Sequence, residues 1–344
     1  MKSWRWIEVD LSALRHNART VRQRLGPRVP FAAVVKADGY GHGAVAAARE
    51  FLSGGAGELA VTYLEEALPL RRAGLRAPIL LMGPLDPGDA ALAVKNNLTV
   101  MVDNLPLARA LGRRAGRRPV AVHIKVDSGL RRWGIPLGDF VPFFGKVRKV
   151  PGVRVAGVFA HPGYMPGKNE GEVRRLLADF DAVVRPATAA FPGVRRHVAD
   201  SAVLLDFLRW RDGGARIGNL LYGINPTNKV LGLKNPWRAM ARVVRVTDVR
   251  RGESIGYGGE FRAPRALRLA TLPVGYSHGF ALRFGNAPGP SWVPVPGGRA
   301  ALIGRVGMSH TLIDVTSLQD VRPGQSVEIP LRRTLSAGWP RLYL

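Results

Sequence analysis

The chain has 344 residues, long for one hydrophobic core, so a large domain joined to a smaller one is the natural division. It contains no cysteine, which excludes disulfides, thiolate metal sites and a thiol nucleophile, and no apolar run of about 20 residues that would cross a bilayer. The net charge of +26 raises the question of a nucleic-acid partner, but its 51 basic residues are spread along the whole length, in pairs such as Arg71-Arg72, Arg113-Arg114, Arg117-Arg118 and Arg332-Arg333. With no basic tail and no basic tract interleaved with aromatics, the charge reads as solvated surface with non-specific affinity for polyanions, and neither a specific nucleic-acid site nor a membrane partner is expected. The first residues carry no apolar signal-like segment, and the expected location is the cytoplasm.

Trp4–Val9 alternates apolar and polar residues and predicts a strand; Leu11–Leu25 predicts a helix with Leu11, Leu14, Val21 and Leu25 turned inward. Phe31–Val35 is an apolar run of the kind buried on both faces of a parallel sheet, and it is interrupted by Lys36, with glycines at 39, 41 and 43. Such a lysine is either a snorkelling side chain beside a Gly-rich turn or a desolvated amine. Desolvation lowers an amine's pKa, and the neutral amine is the form that attacks a carbonyl. A helix follows over Ala44–Leu52. Further strands are predicted at Glu58–Val61, Pro78–Gly83, Leu98–Val102, Val120–Val126, Val155–His161, Arg196–Asp200 and Ala215–Leu220. Helices are predicted between them at Tyr63–Ala73, Pro87–Asn96, Leu105–Ala115, Pro136–Val150, Gly171–Ala190 and Ser201–Trp210.

With the Phe31 run, eight strands alternate with helices, the rhythm of an α/β (β/α)8 TIM-like barrel; the rival, a doubly wound open sheet, typically has fewer strands. From Lys234 onward the helical spacing gives way to Pro/Gly-punctuated alternating stretches at Ala241–Val249, Ala266–Val274, Ala301–Ile303, Thr311–Val315 and Ser326–Ile329, predicting a mostly β C-terminal domain. The expected division is an N-terminal strand within 1–7 packed on the C-terminal domain, a barrel over 8–233, and a β domain over 234–344.

Reactive residues of a barrel collect at the C-terminal ends of its strands. There the unusual polar residues fall: Lys36 and Tyr40, then Lys125 and Arg132, His161, Asp200 and Ser201, Arg216 and Gly218. Each has a structural reading as well, with His161 a satisfied core histidine, Ser201 a helix N-cap and Arg216 a surface arginine. The ends of the last two strands are where barrels commonly seat a phosphate, and there Ser201 opens a helix and Gly218 offers an unobstructed amide. A lysine able to form an imine, a phosphate cradle and an arginine near the barrel centre together point to pyridoxal phosphate, with no metal site.

The ordered set Val34-Val35-Lys36-Ala37-Asp38-Gly39-Tyr40-Gly41-His42-Gly43, His123-Ile124-Lys125-Val126-Asp127-Ser128-Gly129, His197-Val198-Ala199-Asp200-Ser201, Arg216-Ile217-Gly218, Ile255-Gly256-Tyr257-Gly258, Pro273-Val274-Gly275-Tyr276 and Ile303-Gly304-Arg305-Val306-Gly307-Met308 resembles the alanine racemase family over essentially the whole chain. The resemblance implies interconversion of L- and D-alanine for peptidoglycan, with pyridoxal 5'-phosphate held covalently by Lys36. Lys36 is then the base on one face of the substrate Cα. Tyr257, supplied by the other subunit of a homodimer with shared active sites, is the base on the opposite face. A free tyrosine is a poor base at neutral pH, and His161 with Arg216 behind it is the expected help. By the same resemblance Tyr40, Ser201 and the Gly218 amide hold the phosphate, and Arg216 donates to the pyridine nitrogen. Arg132 contacts the phenolic oxygen and the substrate carboxylate, Met308 and Tyr276 bind substrate from the other subunit, and Lys125 is the lysine open to carbamylation.

Other readings of the same residues are a racemase of this family acting on serine or a broader set of amino acids, a fold-type III decarboxylase, and a non-catalytic pyridoxal-phosphate carrier. The chain departs from the family pattern at Ser277-His278, Ser309, Ala337, Asp200, and at Arg131 and Trp133 flanking Arg132. These imply either a wider pocket or neutral drift.

Overall fold

The computed structural model of the protein describes residues 3–211, 213–280, 291–318, 320–336 and 338–344. The chain forms two units, Leu11–Asn235 and a second made of the segment up to Asp10 together with Pro236–Leu344.

The larger unit is a parallel barrel. Its strands are β2 (Phe31–Val34), β3 (Glu58–Val61), β4 (Ile79–Leu81), β5 (Leu98–Val102), β6 (Val120–Lys125), β7 (Val153–Phe159), β8 (Arg195–His197) and β9 (Ala215–Ile217), ordered β8-β7-β6-β5-β4-β3-β2-β9. β2 pairs with both β3 and β9. A parallel bridge between Ala199 and Ala215, with Arg216 N–H donating to Ala199 C=O at 2.9 Å, joins the two ends of that order and closes the ring. This is the eight-stranded α/β architecture expected from the sequence. The strands stop short of the apolar patterns at their C-terminal ends, because the backbone leaves the ladder before Lys36, His161 and Asp200 and carries those residues out into loops.

The helices between strands form where the 3.6-residue pattern and the capping chemistry agree. Leu11–Leu25 buries Ala13, Leu14, Asn17, Ala18, Val21 and Leu25. Leu11, expected to face inward, is only half-buried, since the buried stripe starts at Ala13. Leu105–Arg114 starts at Asn104, whose side chain accepts the Leu107 N–H at 2.9 Å, with a proline in the first turn where no N–H is missed. The helix expected over Pro87–Asn96 opens as a 3₁₀ turn and becomes α only from Ala90.

Alternate side chains of each barrel strand point to the axis. Ala32 and Val34 of β2, Ala60 of β3 and Leu80 of β4 make one apolar cluster. Facing residues on other strands are polar and joined to one another. Glu58, opening β3, takes a two-pronged ion pair from Arg195, opening β8, at 2.6 and 3.0 Å. His197 of β8 bonds to His123 of β6 at 2.9 Å, and Arg216 of β9 meets His197 at 2.8 Å. The interior thus runs from an ion pair at the N-terminal ends of the strands to cationic groups at their C-terminal ends.

The second unit is mostly β. β1 (Arg5–Val9) lies in the sheet β18-β10-β1-β19, antiparallel to β10 (Trp237–Arg242) and parallel to β19 (Arg341–Tyr343), with β18 at Ser326–Glu328. A second sheet orders β11 (Arg245–Val249), β14 (Leu267–Leu272), β17 (Thr311–Asp314), β16 (Gly298–Ile303) and β15 (Trp292–Val295). β12 (Ser254–Ile255) and β13 (Phe261–Arg262) pair alone. Ala241–Val249, expected as one strand, is two: the chain changes sheets at Val243-Val244, since β10 pairs with β1 and β18 while β11 pairs with β14. β12, β13, β15 and β19 have no counterpart among the predicted strands; β12 and β13, of two residues each, are too short to show an alternating pattern. Among the described residues no helix is long and apolar enough to cross a membrane.

Replacing Glu58 by alanine strips Arg195 of its bidentate partner on the barrel floor. The expected cost in urea-induced unfolding is about 1–3 kcal/mol, the usual penalty for stranding a partly buried hydrogen-bonded charge.

Candidate active site

After β2 the chain passes through Val35, fully buried, whose N–H still donates to Ala60 C=O at 2.9 Å, and reaches Lys36. It then leaves the strand direction abruptly. Ala37, Asp38, Gly39 and Tyr40 adopt φ of 50°, 51°, 62° and 54°, a left-handed turn in which three residues carry a Cβ. That conformation costs an L-residue roughly 1–2 kcal/mol, so the turn persists only where its surroundings hold it. The Glu66 carboxylate accepts the N–H groups of Ala37 at 2.7 Å, Thr62 at 2.8 Å and Tyr63 at 3.1 Å. Asp38 accepts the Ala44 N–H at 2.8 Å and so starts the next helix. Tyr222, fully buried, stacks on Tyr40 with ring centres 4.5 Å apart and donates its hydroxyl to Val34 C=O at 3.0 Å. Sequence reasoning gave the turn to its glycines and missed Glu66 and Tyr222. Glu66 sits in an ordinary first helical turn and Tyr222 in a 3₁₀ turn after β9, and no local pattern sets either apart.

A cavity of about 700 Å³ lies at the C-terminal ends of the barrel strands. It is lined by Lys36, Tyr40, Lys125, Arg132, His161, Asp200, Ser201, Arg216 and Gly218, together with Glu66, Trp133 and Phe159. Every barrel residue singled out in the sequence therefore reaches one space. Burial, then the nearby Arg132 charge, lowers the Lys36 pKa, with Glu66 opposing. Burial together with Arg216 and Arg132 lowers Lys125 to about 8.

Arg216 is buried, which overturns the surface-arginine reading. Its Nη1 donates to His197 C=O at 2.7 Å and to His197 Nδ1 at 2.8 Å, and its Nη2 donates to Ala160 C=O at 2.7 Å. Burial lowers its pKa to about 10 against the opposing pull of Asp200, leaving it charged at neutral pH. Because a guanidinium only donates, His197 Nδ1 is an acceptor, and the proton on Nε2 then goes to His123 Nδ1. Both imidazoles are neutral, as their burial and the surrounding arginines require.

Asp200, and not Ser201, caps the helix Ser201–Asp206, its Oδ1 accepting the N–H groups of Ala202 at 3.0 Å and Val203 at 2.9 Å. Ser201 is buried, and its Oγ accepts the Leu220 N–H at 3.5 Å. A Cβ at residue 218 would lie 2.5 Å from the Tyr40 hydroxyl, so that position admits only glycine without displacing Tyr40. Burial pushes the Tyr40 phenol up to about 12 and keeps it a donor. Arg132 stacks on Trp133, 4.2 Å from the ring centre, in a loop that Asp127 braces by accepting the N–H groups of Gly129 and Arg131 at 3.2 Å. His161 Nδ1 faces Asp200 Oδ2 at 3.4 Å. Desolvation and the charges of Arg216, Lys125, Arg132 and Lys36 hold the His161 pKa far below its ordinary range.

Tyr257, Tyr276 and Met308 belong to the second unit and are not among the residues lining this cavity; they are 64%, 46% and 60% exposed. Their three loops are tied together. Arg305 pairs with Glu260 at 2.7 Å beside the Tyr257 turn, and the His310 ring lies 6.4 Å from that of Tyr257. Tyr276 N–H donates to Gly307 C=O at 3.1 Å, while Ser277 donates its N–H and hydroxyl to Met308 C=O at 3.0 and 2.6 Å. His278 Nδ1 accepts the Gly275 N–H at 3.1 Å, and its ring meets Trp339 edge-on. Of the other departures, Ala337 lies outside the described residues, and nothing in the structure explains Ser309.

Residues 9–226 match the family model described as the alanine racemase N-terminal domain, and residues 237–336 the one described as the C-terminal domain. The chain belongs to the alanine racemase family. It is 36% identical to the alanine racemase of Desulforamulus reducens over 338 residues, covering 96% of this chain and 90% of that protein. To that of Syntrophobacter fumaroxidans it is 34% identical over 327 residues, covering 94% and 86%. Its fold superposes on the biosynthetic alanine racemase of Pseudomonas aeruginosa with a TM-score of 0.82 at 29% identity, covering the whole of both chains. The alanine racemase from E. faecalis gives 0.87 at 27% identity, covering 99% of this chain and 98% of that one.

Two substitutions test how an alanine racemase of this geometry is held together. Glu66→Gln removes acceptors from three backbone amides and is expected to cost about 1–3 kcal/mol in urea unfolding. Loss of the carboxylate charge also disfavours the Lys36 ammonium, so the Lys36 pKa falls further, read by the pH dependence of its modification by a small aldehyde. Gly218→Ala drives a methyl into Tyr40; a destabilisation of about 1–3 kcal/mol is expected, together with loss of the Tyr40–Tyr222 stacking in a crystal structure.

Proposed function

We propose that this protein interconverts L-alanine and D-alanine with pyridoxal 5'-phosphate, as a cytoplasmic homodimer that supplies D-alanine for peptidoglycan. The observation that carries the reading is the pairing, in one cavity, of an amine whose pKa is lowered by burial and a buried guanidinium fixed by three hydrogen bonds.

The donor set fits the cofactor. Lys36 offers the amine for covalent attachment of its aldehyde. The protonated Tyr40 hydroxyl, Ser201 and the Gly218 amide suit a phosphate, and the Cβ-free space at residue 218 is what lets Tyr40 stand so close to that backbone. Arg132 suits the phenolic oxygen and a substrate carboxylate. Bound pyridoxal phosphate supplies delocalisation of the electron pair left when an attached amino acid loses its Cα proton. Arg216 sets how strong that delocalisation becomes. A guanidinium still charged at neutral pH donates a hydrogen bond to a ring nitrogen and leaves it unprotonated, which weakens the electron sink and disfavours decarboxylation and transamination. An acid at this position would do the reverse.

Racemisation requires a base on each face of the Cα, because the two enantiomers present their protons to opposite sides. Lys36 serves one face, its lowered pKa raising the fraction of free amine at neutral pH. Tyr257 of a second copy serves the other, with Met308 and Tyr276 of the same loop cluster on the substrate. Lys125, lowered to about 8, has enough neutral amine to add carbon dioxide, releasing a proton and forming a carbamate whose charge suits Arg132.

Lys36→Ala is expected to abolish racemisation and the visible absorbance of the bound cofactor. Tyr257→Phe keeps the absorbance and loses about 10²–10⁴-fold in kcat. Mixing the two inactive variants restores activity if the site is shared between subunits, because each heterodimer then contains one intact Lys36–Tyr257 pair; a mixture as inactive as its components would refute the shared site. Coupled assays of L- and D-alanine turnover read all three.

A further inference from the structure

We propose that Asp200 is a positioning residue for His161: its carboxylate fixes the imidazole as the tautomer that carries its proton on Nδ1 and leaves Nε2 an acceptor. Asp200 Oδ1 is occupied by the N–H groups of Ala202 and Val203, which pins the carboxylate, and Oδ2 is thereby left facing His161 Nδ1 at 3.4 Å. At 3.4 Å the pair is an electrostatic approach rather than a close hydrogen bond, and an ionised carboxylate at that distance favours the tautomer that turns an N–H, not a lone pair, toward it. The other charged groups acting on this ring are Arg216, Lys125, Arg132 and Lys36, all cations that disfavour an imidazolium. The ring therefore has one proton to place, and Asp200 places it.

Capping alone does not explain an aspartate. Asparagine or serine caps a helix about as well, and an amide could turn either its oxygen or its NH₂ toward His161, leaving the tautomer open. The arrangement is the mirror of the neighbouring chain, where Arg216 donates to His197 Nδ1 and forces the proton onto Nε2. Two neutral histidines of one barrel are thus held as opposite tautomers by a cation and an anion. An acceptor at His161 Nε2 can receive a hydrogen bond from a phenol and so fix where its oxygen stands; this use rests on the two-base reading above, whereas the tautomer does not.

The test is the ¹H–¹⁵N long-range spectrum of the ¹⁵N-histidine-labelled full chain, recorded from about pH 6 to 9 with and without added pyridoxal phosphate. His161 is assigned by the signal lost in His161→Gln, and His197 and His123 serve as internal Nε2–H references. His161 is expected in the Nδ1–H form throughout. In Asp200→Asn it is expected to move to Nε2–H or to a mixture, with His197 and His123 unchanged; Asp200→Ser, which also caps the helix, gives the same readout should the asparagine variant fail to fold. Wild-type His161 in the Nε2–H or doubly protonated form, or an unaltered signature in the variants, overturns the proposal. Where the tautomer shifts, kcat for alanine is expected to fall about tenfold with KM within about twofold. Absence of racemase activity in the wild-type protein would instead count against the racemase reading and leave the tautomer result standing.

Discussion

The site depends on one backbone event, the left-handed turn that begins at the residue after Lys36. Three residues with side chains adopt a conformation that L-amino acids avoid, and the turn exists because Glu66 collects three of the local amides while Tyr222 presses on Tyr40 from below. The consequence is geometric. A strand continuing straight would carry Tyr40 onward past Lys36, whereas the turn folds it back so that its hydroxyl lies beside Gly218. Lys36 and the Tyr40 hydroxyl are thus placed by the same strained loop, and Gly218 is the residue that makes room for it.

Around that loop the barrel solves a problem of charge. Lys36, Lys125, Arg132 and Arg216 share one cavity, with Asp200 and Glu66 as the carboxylates facing them. Such crowding is unfavourable unless some groups give up protons, and the amines are the groups that can. Arg216 keeps its charge, and His161 and His197, lowered first by burial, are lowered further by Arg216 beside them. The two lysines are likewise lowered first by their own burial and then by a neighbouring guanidinium, Arg132 for Lys36 and Arg216 with Arg132 for Lys125.

Much of this was legible in the sequence, for reasons that differ from residue to residue. The strands are visible because parallel strands are apolar on both faces, and Lys36, Lys125 and Arg216 are visible because each interrupts such a run, the two lysines at its C-terminal end and Arg216 within it. Glu66 and Tyr222 were not legible: their role is to satisfy backbone amides and to stack on a ring far away in sequence, and a carboxylate in a first helical turn or an aromatic in a short turn looks ordinary. The structural alternative for Ser201, a helix cap, rested on serine being a good N-cap, but Asp200 precedes it by one residue and takes the amides. The sheet switch at Val243-Val244 was invisible because both sides of it alternate, and only the change of pairing partner separates β10 from β11.

The departures from the family pattern raise the choice between a widened pocket and drift, and their contacts decide most of it. A substitution that widens a pocket leaves space or a new polar group facing solvent. Ser277 instead spends its hydroxyl on the Met308 carbonyl, His278 its ring nitrogen on the Gly275 amide, and Asp200 one oxygen on two helix amides, with the other facing His161 at 3.4 Å. Trp133 adds bulk rather than removing it, and holds the Arg132 guanidinium against its face. These residues bind the backbone that shapes the site, so their identities can change while the shape is kept. Lys36, Arg216 and the glycine at 218 are held far more tightly: an amine at the shared cavity whose pKa burial lowers, a buried guanidinium tied by three hydrogen bonds, and a position where a Cβ would strike the Tyr40 hydroxyl.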